Sequence, residues 1–118
     1  MNAELKRLYS PDIFDLEDYR PESPESFSFL LQAMIGPAGE EGEESFDIEV
    51  CTPKWIVENC RKDVVIIGAH YMIVREYNYG KIEETIKRFL LGCSGSSWAE
   101  VARKVSQLGL WEFEDYQP

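Results

Sequence analysis

Two stretches of strict alternation constrain this chain more than anything else in it. Phe27, Phe29, Leu31, Ala33 and Ile35 alternate with Ser28, Leu30, Gln32 and Met34, and Phe46, Ile48 and Val50 alternate with Ser45, Asp47 and Glu49. Successive side chains of a strand point to opposite faces, so a period of two with one apolar set predicts two strands with one face buried. The turn between them, GPAGEEGEES at 36–45, makes them a long hairpin. Ala3–Tyr9 reads as a short strand ahead of them, and the Pro- and acid-rich run SPDIFDLEDYRPESPES wraps irregularly between.

The period changes after Val50. Thr52 followed by Pro53 offers a side-chain oxygen and a pre-set φ at a helix start, so residues 53–61 are expected to be helical. Val64–Ile67 and Tyr71–Tyr77 read as strand, broken at Gly68. Ile82, Ile86, Phe89 and Leu90 recur at helical spacing, with Glu83/Lys87 and Glu84/Arg88 on the outer side. Ser97 and Glu100 form a capping box, and Trp98, Val101, Ala102, Val105 and Leu108 continue a second stripe until Gly109. WEFEDY, Trp111–Tyr116, alternates again and is expected to be a closing strand with an acidic outer face. Strands, then helices, then a strand describe an α+β domain spanning 1–118, a mostly antiparallel sheet packed against two to three helices.

The charge is lopsided. Residues 1–50 hold 13 Asp and Glu against 3 Lys and Arg, whereas residues 51–118 hold 9 of each, so the whole net charge of −10 sits in the first half. That field repels nucleic acid and anionic membranes and attracts cationic partners. With 44% hydrophobic residues the chain still has material for a core, and no apolar run reaches membrane-spanning length. The N-terminus lacks the apolar segment of a secretory signal, and the expected location is cytoplasmic. Three widely spaced cysteines, Cys51, Cys60 and Cys93, with the single histidine His70, fit neither a disulfide framework nor a zinc site.

No nucleophile with an adjacent base, phosphate loop or calcium loop stands out, so catalytic residues, metals and cofactors are all expected to be absent. A small enzyme using His70 or Cys93 is the weaker alternative, and an acidic adaptor protein is another. His70 lies in a strand-like run, and Cys93 in a serine-rich turn of the kind that ordinarily starts a helix.

The string G-E-E-S-F-x-I-x-V-C-T-P-x-W across 42–55, the run HYMIVREYNY at 70–79, CSGSSWAEVA at 93–102 and the closing WEFEDY together resemble the Immunity protein 8 family, over nearly the full length. The resemblance implies an α+β fold without enzymatic activity and a cytoplasmic antidote that binds a toxin domain of a bacterial polymorphic toxin system. Joined to the acidic field, it suggests a basic toxin such as a nuclease, met by a monomer or homodimer. Asp15, Glu17, Asp18, Glu40, Glu41, Glu43 and Glu44 are the expected steering acids. Tyr19, Tyr77, Tyr79, Trp111 and Tyr116 are the candidate anchors, with Glu112 and Glu114 beside them, although for Trp111 core packing is the preferred alternative.

Overall fold

The computed structural model describes residues 1–115. Its elements are β1 (Ala3–Tyr9), β2 (Ser28–Pro37), β3 (Glu44–Cys51), α1 (Pro53–Asn59), β4 (Tyr71–Ile73), α2 (Tyr79–Leu90), α3 (Trp98–Val105) and β5 (Leu110–Trp111). The sheet runs β1-β2-β3-β4, with β5 also paired to β3. Every pairing is antiparallel except β3 with β4. The α+β class and the two central strands are therefore as expected from the alternation.

The outer edge of β3 is divided between two partners. Glu49–Cys51 pair with Tyr71–Ile73 of β4, and Phe46 and Asp47 pair with Trp111 and Leu110 of β5. Gly109 makes the second pairing possible, since a Cβ there would stand 3.0 Å from Ile48 Cγ1 and 3.1 Å from the Asp47 carbonyl oxygen.

One face of the sheet carries the core. Phe29, Leu31, Ala33 and Ile35 of β2 and Phe46, Ile48 and Val50 of β3 are buried in one cluster with Ile82, Ile86 and Leu90 of α2 and Val101, Ala102 and Val105 of α3. Each helix thus buries one stripe, at about 1.5–3 kcal/mol for each large aliphatic side chain. Ser97 caps α3 by accepting from the Glu100 N–H, and Asn78 caps α2 by accepting from the Lys81 N–H. Buried Thr52 caps α1 through Trp55 N–H and also accepts from Phe27 N–H at 3.2 Å, tying the helix start to the start of β2. The opposite face, with Leu30, Gln32, Asp47 and Glu49, is only half-buried and carries no helix.

Four expectations fail. Val64–Ile67 form no strand and lie exposed, because both halves of β3's outer edge are already occupied. β4 stops at Ile73 rather than Tyr77. There the chain turns towards α2 and seats Tyr77 against Tyr19, with ring centroids 4.9 Å apart. The closing strand stops at Trp111, where the Glu112 N–H still donates to the Ser45 carbonyl at 3.1 Å but the Ser45 N–H is taken by the Glu112 carboxylate; residues 112–115 turn instead, and Tyr116 lies outside the described residues. The second helical stripe also ends sooner than expected, with α3 closing at Val105 and residues 106–108 forming a turn before Gly109.

Candidate functional site

The C-terminal segment and the half-covered sheet face build a groove of about 510 Å³. Leu110, Trp111 and Phe113 supply its apolar part, and Asp47, Glu112, Glu114 and Asp115 its charge. A second depression of about 360 Å³ shares Asp47 and Leu110 with it and adds Glu49, His70 and Tyr71, so the two form one continuous surface. Among the described residues, five carboxylates line that surface and no Lys or Arg does.

Each acid that touches the protein does so through a neutral donor. Gln32 Nε2 donates to Asp47 Oδ1 at 3.1 Å, the Ser28 hydroxyl donates to Glu49, and the Ser45 N–H donates to Glu112 Oε1 at 2.8 Å. The Glu112 carboxylate thereby stands in for the missing ladder partner beyond β5. Among the described residues none of the five forms an ion pair. Hydrogen bonds from neutral donors hold Asp47, Glu49 and Glu112 in place without compensating their charge, and Glu114 and Asp115 are exposed.

The aromatic part is fixed just as firmly. Trp111 stacks on Phe46 at 6.3 Å with an interplanar angle of 9°, and meets Phe113 edge to face at 6.0 Å. Its indole N–H donates to Glu44 Oε1 at 3.1 Å, and the Trp98 indole N–H donates to the same oxygen at 2.5 Å. Glu44 therefore joins α3 and β5 to the first residue of β3.

The remaining expected residues separate into two places. The turn acids face the Ala3 end of β1 and the connection holding Asp15, Glu17 and Asp18 follows its Tyr9 end, roughly 20 Å away along a seven-residue strand. In the turn, Glu43 pairs with Arg7 at 2.8 Å and the Lys6 ammonium donates to the Glu40 carbonyl at 2.7 Å. The loop packs back on the hairpin so closely that a Cβ on Gly36 would stand 2.0 Å from the Gly42 carbonyl oxygen. The carboxylates of Glu40 and Glu41 point to solvent without a partner among the described residues. In the connection, Asp15 Oδ1 accepts from the Glu17 and Asp18 N–H groups at 3.1 and 3.4 Å.

Tyr19 and Tyr77 fasten that connection rather than projecting from it. Tyr19 meets Phe29 edge to face at 5.6 Å, and the Tyr77 hydroxyl donates to the Leu16 carbonyl. Burial first, and then neighbouring Tyr79 and Tyr19 and the charges of Asp15 and Glu17, push the Tyr77 phenol up to about 12, so it stays protonated. Tyr79 stands 3.5 Å from Glu83 Oε2, and burial raises its phenol as well.

Neither residue of the enzyme alternative is prepared for chemistry. Burial raises the Cys93 thiol above its ordinary value, and its Sγ donates to the Phe89 carbonyl at 3.7 Å. His70 Nε2 lies 2.8 Å from the Ser106 carbonyl, and the residue takes a left-handed turn at φ 64° while its own carbonyl accepts from the Glu49 N–H. It acts as the corner that sets β4 beside β3. Among the described residues no three His, Cys, Asp or Glu side chains converge as a metal site, and no helix is long and apolar enough to cross a membrane.

The model of the family Immunity protein 8 matches residues 3–116. The chain belongs to that family. Membership makes it an immunity protein, with a cognate toxin as its partner. No curated protein and no solved structure matches the chain.

Within an immunity protein, the groove combines residues that sequence reasoning named and others that it passed over. Trp111, Glu112 and Glu114 were expected, whereas Asp47, Glu49, Asp115, Leu110 and Tyr71 were not. The outward phase of Ser45, Asp47 and Glu49 was visible as polar alternation. That this face lacks a covering helix was not.

Proposed function

We propose that this immunity protein neutralises a basic toxin domain in the cytoplasm, without catalysis, by holding it on the acidic groove between β3 and β5. The observation that supports this reading is the set of five carboxylates, none in an ion pair among the described residues, around Leu110, Trp111 and Phe113. Interfaces of this kind divide the work. Charge speeds encounter, raising association from about 10⁵–10⁶ towards about 10⁸ M⁻¹s⁻¹ at low salt, while buried aromatic anchors hold the complex.

A nuclease is the toxin class that suits the groove best. Its cleft is built to bind phosphates, and a cluster of carboxylates, three of them held by hydrogen bonds, can occupy the same cationic groups. The rigidity conferred by Glu44 on Trp111 lowers the ordering cost of binding, which favours a slow off-rate. Glu40 and Glu41 on the turn, and Glu17 and Asp18 on the connection, extend the negative field beyond the groove.

Calorimetric titration of the cognate toxin domain tests this directly. The expected result is one-to-one binding that weakens as salt rises and weakens further in Asp47→Asn/Glu114→Gln/Asp115→Asn. Binding insensitive to both salt and the triple substitution would overturn the groove as the site.

A further inference from the structure

Residues 64–67 read VVII, four β-branched residues in succession, which is the composition that most favours a paired strand. In the structure they belong to none. Their exposure nevertheless alternates, with Val64 at 48% and Ile66 at 38% against Val65 at 93% and Ile67 at 86%. That is the period of a strand lying with one side against the body and the other bare.

The backbone is open as well. Val64 N–H donates to the Arg61 carbonyl, but among the described residues the N–H groups of Val65, Ile66 and Ile67 find no backbone acceptor. Val57 on α1 and Ile73 on β4, both exposed, add apolar surface to the same crossover. An apolar run with an unpaired edge is what a second strand adds to.

We propose that residues 64–67 pair antiparallel with the same residues of a second copy, giving a weak two-fold dimer. Charge permits that occupant. The chain as a whole carries −10, whereas Arg61, Lys62 and Asp63 give the stretch 61–70 a net +1. Two copies meeting here avoid the repulsion between their acidic faces, and a basic toxin is not drawn to this stretch. The sequence is also complementary to itself. With Ile66 on the two-fold axis, Val65 of each copy lies opposite Ile67 of the other, so the bare side chains share one face. Such a contact is isologous and closed, so it stops at two copies. None of the four residues lines the acidic groove, so the dimer carries a toxin site on each copy.

Four residues per copy bury less than the roughly 1,200 Å² of stable complexes, so association should be weak and concentration-dependent. Sedimentation velocity between about 10 µM and about 1 mM reads it. The expected mass rises from 13.7 kDa towards twice that value. Val65→Asp/Ile67→Asp should stay at the monomer mass throughout and keep the wild-type thermal midpoint, since both side chains are exposed. A wild-type protein that remains monomeric up to the highest concentration would overturn the proposal and leave the run to a strand of some other protein. A mass increase that the double variant retains would overturn it too, by placing the contact elsewhere.

Discussion

Glu44 and Trp111 meet through an indole N–H···carboxylate hydrogen bond of 3.1 Å that joins the first residue of β3 to the last residue of β5. Two elements far apart in sequence thus share one acid, which also accepts from Trp98. Glu44→Ala leaves two indole donors to a half-buried site, and we expect a loss of about 1–3 kcal/mol in urea unfolding, with a red shift of tryptophan emission. Glu44→Gln keeps the accepting oxygen and should lose much less. An alanine variant as stable as wild type would show that the two indoles are equally content with water.

Gly109 lets β5 approach β3, and its replacement should loosen the groove without exchanging a groove side chain. Gly109→Ala sets a methyl group 3.0 Å from Ile48 Cγ1 and 3.1 Å from a backbone oxygen. The expected cost is about 1–3 kcal/mol, the range for forcing one carbon into a packed core. Hydrogen exchange should quicken at residues 110–112 while the protection of β2 is retained.

Ile86 sits fully buried between α2 and the sheet. Ile86→Ala should destabilise the fold by about 2–5 kcal/mol, the usual range for emptying such a position. Toxin affinity measured well below the new midpoint should stay as in wild type, because Ile86 lines neither part of the groove.

Tyr77 gives the fold a sensitivity to high pH. Its phenol is raised from 10.0 to about 12, so the folded state holds the proton more tightly than the unfolded chain. Stability from this group is therefore complete below about pH 10 and is lost as pH rises through that interval. Unfolding free energies measured from pH 8 to 12 should fall more gently in Tyr77→Phe, which also forgoes the hydrogen bond to Leu16. Burial raises Tyr19 and Tyr79 too, so the dependence should shrink and not vanish.

The pattern of agreement between sequence and structure follows from what a period can encode. Phe29 to Ile35 and Phe46 to Val50 announce their strands because a half-buried sheet writes its two faces into alternate residues, and Ile82, Ile86 and Leu90 announce α2 in the same way. Thr52 and Ser97 mark helix starts locally. Val64–Ile67 carry as strong a strand signal as either hairpin arm, yet a strand also needs an edge to join, and β4 and β5 have divided the outer edge of β3 between them. Glu112 illustrates the converse, ending β5 by placing its carboxylate where a ladder partner would have been. The groove was legible only in fragments, since it exists because three separate facts coincide: an uncovered sheet face, a shared β3 edge and the Glu44 bridge.

The groove acids, rather than the acidic turn, are expected to guide the toxin. Stopped-flow association of the toxin domain at low salt, comparing wild type with Asp47→Asn/Glu114→Gln/Asp115→Asn and with Glu40→Gln/Glu41→Gln, separates the two. We predict that the groove variant associates at least about ten-fold more slowly, with a flatter salt dependence, and that the turn variant changes the rate by less than about three-fold. An unchanged rate in the groove variant, with the loss appearing in the turn variant instead, would contradict the account.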